Sequence, residues 1–287
     1  MDGCGSDGRG GQSVRPARMP SVTVNGTKLF HEVRGSGPPV LLIMGATGDG
    51  GHFAQLAALL ADEFTVVSYD RRGNGRSPRP AAWHTTSLEE QADDAAALLE
   101  ELGLTPAALF GTSSGATFAL ALVVRHPDAL CGALLHEPVM TSLTDDPAAV
   151  LEASTRLVEE GLKAGGVRVV LERFWRFVAG DKGWDDLDPG LRERMLASAD
   201  TFVGVEVGTF EAFLPDDRTL AAITVPIQLL VSDDGRRPWH QAAGRLAQRL
   251  GATVASTPGT HAAYHDHPHE LAQTMRPFLR QVCDVGA

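Results

Sequence analysis

Phe110–Ala116 reads FGTSSGA, two serines side by side between two glycines. Small residues of this kind often mark nothing more than a tight turn, so the flanking sequence decides the meaning. Upstream, AALFGTS (Ala107–Ser113) is a short apolar run that suits a strand buried on both faces. Downstream, SGATFALALVVRHP (Ser114–Pro127) has the length of a helix and stops at a proline. GTSSG therefore falls at a strand-to-helix junction. There the chain must turn so sharply that only small neighbours fit beside the central residue, and Gly111 and Gly115 supply that room. The central Ser113 is pushed out at the carboxyl edge of a sheet. The helix starting at Ser114 aims free backbone N–H groups at the same spot. Ser113 is thus a candidate nucleophile. Ser114 competes only if the turn is shifted by one residue; its more natural part is to donate a backbone N–H.

Working outward, the same strand–helix alternation continues. SVTVNGTKLFHEV (Ser21–Val33) alternates around Asn25-Gly26, a hairpin signal. PPVLLIMG (Pro38–Gly45) and FTVVSYD (Phe64–Asp70) read as buried strands, with the helical FAQLAALLADE between them. Ser87 caps a helix running to about Gly103, with Glu90 three residues on. ALCGALLHEP (Ala129–Pro138) is a strand stopped by proline. Between about Met140 and Thr219 the pattern changes to amphipathic helices without a convincing strand. AITVPIQLLVS (Ala222–Ser232) restores the sheet, and ATVASTPGTH (Ala252–His261) supplies its last strand. Short links between strands and helices imply parallel strands with right-handed crossovers, so the expected core is a mostly parallel sheet covered by helices on both faces.

Composition bounds the function. The 287 residues carry a net charge of -11, which repels phosphate backbones and anionic membrane surfaces. Neither nucleic acid nor membrane is an expected partner. The cysteines, Cys4, Cys131 and Cys283, are odd in number and widely spaced, matching no disulfide framework or zinc pattern. With no apolar signal-peptide run in the Gly-, Ser- and Arg-rich first 19 residues, the reading is a disordered segment over 1–19 and a cytoplasmic location.

In this order, the hairpin start, the Gly-ended strand LLIMG, YDRRGNGRS, GTSSG and a late PGTH make the chain resemble the α/β-hydrolase family from about Ser21 onward. The resemblance implies an eight-stranded, mostly parallel α/β-hydrolase sheet in two pieces, 20–139 and 220–287, with a helical cap over 140–219. YDRRGNGRS looks like the family's D-x-R-G-x-G-x-S turn, in which Asp70 and Arg72 brace loops beneath the site.

A serine hydroxyl is a poor nucleophile at neutral pH; it needs a base, and the base needs an orienting group. The family's chain order is nucleophile, acid, histidine. His261 in PGTH lies where the family's base does. The neighbouring His265, His267 and His269 raise a metal site as a rival, but no Cys or carboxylate pattern completes one, so no metal and no cofactor is expected. SDDG offers Asp233 and Asp234 as the acid, and the spacing to Pro238 in relatives favours Asp234. Glu137 in HEP is a further rival, because some members place the acid at the end of that strand; its other reading is a part of the pocket floor. For the oxyanion the resemblance implies the backbone N–H groups of Ala46 and Ser114. The usual His before the strand-ending glycine is Met44 here.

Over the catalytic edge, the cap carries Phe174, Trp175, Phe177, Phe202, Phe210 and Phe213, which argues for an apolar pocket. Trp175 and Phe210 are candidate pocket residues, as is His52 in the Gly-rich ATGDGGHF. The expectation is a serine hydrolase, monomeric or homodimeric, cleaving an ester, lactone or similar acyl bond of a small-to-medium apolar substrate. A carbon–carbon bond hydrolase, a cofactor-free perhydrolase of the haloperoxidase type, an acyltransferase, or a ligand receptor of the same fold are the alternatives.

Overall fold

The computed structural model describes residues 20–209 and 214–283. The segment 1–19, read as disordered, and Phe210 lie outside the described residues. Eight strands form one sheet in the order β1-β2-β4-β3-β5-β6-β7-β8. They are β1 (Ser21–Val24), β2 (Thr27–Arg34), β3 (Pro39–Ile43), β4 (Thr65–Tyr69), β5 (Ala107–Thr112), β6 (Leu130–His136), β7 (Ile227–Ser232) and β8 (Thr253–Thr257). Asn25 and Gly26 both take positive φ, 44° and 71°, the geometry of a two-residue hairpin whose twist matches its strands. β2 pairs antiparallel with β4, and every pairing from β4 onward is parallel. The apolar run Val40–Ile43 and all of β5 are buried, as befits strands covered on both faces.

After β3 the chain goes first to β4 on one side, then returns to β5 on the other. This reversal opens a crevice at the carboxyl ends of β3 and β5, the usual ligand position in open α/β sheets. Helices α1 (Ala54–Leu60), α2 (Leu88–Glu101) and α3 (Ser114–Arg125) make the first crossovers. Ser87 caps α2 by accepting from Glu90 N at 3.1 Å. The reciprocal half of the capping box is not made, because the Glu90 carboxylate turns to Trp83 Nε1 and Thr86 Oγ1.

Between β6 and β7 lie α4 (Pro147–Gly165), α5 (Val167–Asp185), α6 (Pro189–Ala197), α7 (Ala199–Thr201), a π-helical turn (Phe202–Glu206) and α8 (Asp217–Ala221). This insertion is held over the strands' carboxyl ends by the loops that follow β3 and β4. Arg194 Nε donates to Asp49 Oδ2 at 2.7 Å, Gly75 N to Ser198 Oγ at 2.9 Å, and Thr201 Oγ1 to Gly73 O at 2.8 Å. α9 (Arg237–Leu250) follows β7, and α10 (Ala263–Asp266) and α11 (Pro268–Val282) close the described chain.

The junction of β5 and α3 is packed without room for a side chain at either glycine. A β-carbon on Gly115 would collide with the Ile43 carbonyl oxygen and lie 2.9 Å from Gly45 N. One on Gly111 would collide with the Gly115 carbonyl and sit 2.8 Å from the Ala116 Cα. Gly115→Ala is therefore expected to destabilise the protein by about 2 kcal/mol or more, the cost of overpacking against backbone that cannot give way. Gly244→Ala, inside α9 with nothing near its β-carbon position, is expected to stabilise by about 0.5–1 kcal/mol through helix propensity. Thermal or urea unfolding of the two variants checks both signs.

Candidate active site

Ser113 stands between β5 and α3 with φ 59° and ψ -132°, a conformation that non-glycine residues rarely adopt. It is held there by its own N–H, which donates to His136 O at 2.9 Å, and by its carbonyl, which accepts from Ala116 N at 3.0 Å. Strain confined to one residue and braced on both sides is the pattern expected where a side chain must be aimed. Ser113, Ser114 and Ala46 together line a cavity of about 220 Å³ beneath the inserted helices. As the first residue of α3, Ser114 carries an N–H without a partner inside the helix.

The candidate base comes from the loop after β8. His261 is buried, and its Nδ1 lies 2.5 Å from Glu137 Oε2. Its Nε2 is buried without a hydrogen-bond partner among the described residues. The Trp239 indole stacks on the imidazole, ring centroids 3.6 Å apart and planes 17° from parallel, and it also lines the cavity.

The carboxylate on His261 is a correction to the sequence reading, which favoured Asp234. Glu137 follows β6 directly and takes φ 44°, while its N–H still pairs with Leu230 O of β7 at 3.0 Å. That twist carries its side chain across the end of β7, where Oε1 accepts from Ser232 N at 2.9 Å and lies 3.3 Å from His240 Nε2. The carboxylate fills the space over Gly235, where any β-carbon would collide with it. The two aspartates are drawn the other way. Asp233 N donates to Thr257 O and Asp234 N to Gly259 O, at 2.9 and 3.0 Å, which ties their backbone to the β8 side. Both side chains are exposed, and Asp233 bonds to Ser256 Oγ.

Electrostatics fit this arrangement. Burial alone would raise the Glu137 carboxyl, but the hydrogen bond and charge of His261, with Ser232 N, outweigh it and hold the group down to about 2. It is a carboxylate throughout the range in which a histidine titrates. Behind it, His136 bridges Thr112 Oγ1 and Ser232 Oγ, each at 2.9 Å. It is wholly buried, and burial pushes its imidazole down to about 4.

Two other expected pocket residues are elsewhere. His52 is buried 3.2 Å from Thr47 Oγ1 and stacks on Trp175 at 4.7 Å, and neither ring is among the cavity walls. They wedge the loop after β3 against α5. Three aromatics of the inserted helices do reach the cavity, Phe174, Phe177 and Phe202, beside Val139, Val150, Ala153, Leu157 and Val158. Trp239 and His240 escaped the sequence reading. The signal for them was their place four and five residues after Gly235, in the first turn of the helix that follows the SDDG loop.

Comparison with known proteins agrees with this fold. A model of the α/β hydrolase fold matches residues 38–159. An uncharacterized hydrolase of Bacillus subtilis, YraK, is 28% identical over 266 residues, 91% of this chain and 96% of its own. A zearalenone hydrolase of Cladophialophora bantiana is 26% identical over 93% of this chain and 100% of its own. Among solved structures, an esterase of Thermogutta terrifontis superposes with a TM-score of 0.74 at 24% identity, covering 92% of this chain and 97% of that one.

The buried histidines give a stability prediction. His136 and His52 are both held near 4, chiefly by burial, against an ordinary value of about 6.5. As pH falls from about 6.5 to 4 the unfolded chain takes up protons that the folded chain refuses, so stability falls through that window. The melting temperature is expected to drop between pH 7 and 4, and His136→Gln is expected to flatten that drop by about one proton.

Proposed function

Because the chain belongs to the α/β-hydrolase family, we propose that it is a serine hydrolase whose triad is Ser113, His261 and Glu137, acting on small apolar esters or lactones. The observation that carries the proposal is the buried His261–Glu137 pair, stacked on Trp239, a wall of the same apolar cavity that the strained Ser113 lines. In this reading Ser113 Oγ attacks the substrate carbonyl while its proton passes to His261 Nε2. Glu137 keeps the imidazole turned and stabilises its charged form. The tetrahedral oxyanion rests on the N–H groups of Ala46 and Ser114. Collapse expels the alcohol, which takes the proton from Nε2. Water, deprotonated by the same nitrogen, then releases the acid and restores Ser113. Among the described residues that line the cavity Arg236 alone is charged, and the small volume and predominantly aliphatic and aromatic lining favour a short, neutral acyl group.

Labelling and kinetics test this together. A fluorophosphonate is expected on Ser113 by mass spectrometry, with short nitrophenyl esters hydrolysed faster than long ones and both activities lost in Ser113→Ala. Glu137→Gln is expected to lower kcat by about 10³-fold or more. Asp234→Asn, changing an exposed side chain, is expected to stay within about twofold. The opposite order for the two carboxylate variants would return the acid to the β7 loop.

A further inference from the structure

Arg71 lies in the turn after β4, yet its side chain is fully buried. Its five N–H groups are matched by five hydrogen bonds. Nε donates to Met44 O at 2.8 Å and Nη2 to Gly45 O at 2.7 Å. Nη1 and Nη2 form a fork on Glu206 Oε1 and Oε2 at 2.6 and 2.9 Å, and Nη1 also reaches Gln91 Oε1 at 3.2 Å. The guanidinium carbon sits 4.7 Å from the ring of Phe118, one turn into α3 from Ser114. Glu206 ends the π-helical turn of the cap; it is fully buried and accepts a further bond from Asn74 Nδ2 at 2.9 Å. The same turn presents Phe202 to the cavity, and Val207 follows Glu206 there.

One of those acceptors matters for chemistry. Gly45 O and the Ala46 N–H belong to a single peptide plane, and in a trans peptide they point in opposite directions. A donor fixed on Gly45 O therefore fixes the direction of the Ala46 N–H. A charged donor also polarises the peptide and strengthens that N–H toward an anion.

We infer that Arg71 is the positioning residue for the Ala46 oxyanion donor, and that Glu206 ties this donor to the cap's cavity wall. The inference rests on the serine-hydrolase reading above. Stability alone is a poor reason to bury this pair, since apolar replacements of a buried ion pair often cost nothing. The pair joins the cavity wall at Phe202 and Val207 to the backbone that faces the reacting carbonyl. A substrate that displaces the wall thereby alters the oxyanion donor.

The test compares wild type with Glu206→Gln and with the double variant Arg71→Met, Glu206→Met, on a short nitrophenyl ester. Glu206→Gln is expected to lower kcat by about tenfold or more, since a misaimed donor forfeits part of what a missing one does. KM is expected to change by less than about threefold, because the donor acts on the transition state. The double variant is expected to melt near wild type while kcat stays low. A folded double variant with wild-type kcat would overturn the inference, as would a loss confined to KM. Hydrogen exchange provides a readout independent of turnover. In Glu206→Gln, amides of 45–48 and 202–207 are expected to lose protection together; loss in 202–207 alone would overturn it. Ester turnover absent from wild type would sink the hydrolase reading, and the exchange result would still decide the coupling.

Discussion

The contact between Gly115 and the Ile43 carbonyl sets the spacing on which the site depends. It lets α3 start directly against β3, with no side chain between them. Because the helix begins so close, Ser113 must leave β5 at φ 59°, and its side chain is projected into the crevice at the sheet's switch point. The N-terminus of α3 and the Gly45–Ala46 peptide then face the same point from two sides. A residue larger than glycine at 111 or 115 would separate these parts, so the strain at Ser113, the helix start and the Gly45–Ala46 peptide form one unit.

The second constraint is electrostatic. A carboxylate buried as deeply as Glu137 is costly unless its oxygens are hydrogen-bonded. Here one oxygen meets the His261 imidazole and the other meets Ser232 N, with His240 alongside. The carboxylate follows β6 and its partners come from the end of β7, from α9 and from the loop after β8, so the charge is stable only when the three strands are in register. Arg71 and Glu206 repeat the device elsewhere, linking the loop after β3, α2 and the inserted helices.

Much of this was legible in the sequence. Apolar runs of strand length, Asn25-Gly26 and the glycines around Ser113 express local backbone needs, and such needs are written in adjacent residues. The sheet, the helical insertion and the candidate nucleophile followed from them. The carboxylate that meets His261 was not legible in the same way. Asp234 and Glu137 both end strands beside His261, and the choice between them rests on a positive φ at Glu137 and on backbone bonds from 233 and 234 to the β8 side. Neither feature has a marker in the local sequence. Arg71 was hidden for a similar reason: its partner Glu206 is 135 residues away, and both stand in segments that read as an ordinary polar turn and a cap helix. Trp175 and His52 had the right composition for a pocket but were drawn to each other.

The most direct test of the account is a crystal structure of the protein after reaction with a small fluorophosphonate. The account predicts phosphorus on Ser113 Oγ, its free oxygen held by the N–H groups of Ala46 and Ser114, and His261 Nδ1 on Glu137. An adduct on Ser114, or an imidazole turned to Asp234 with Glu137 left aside, would contradict it.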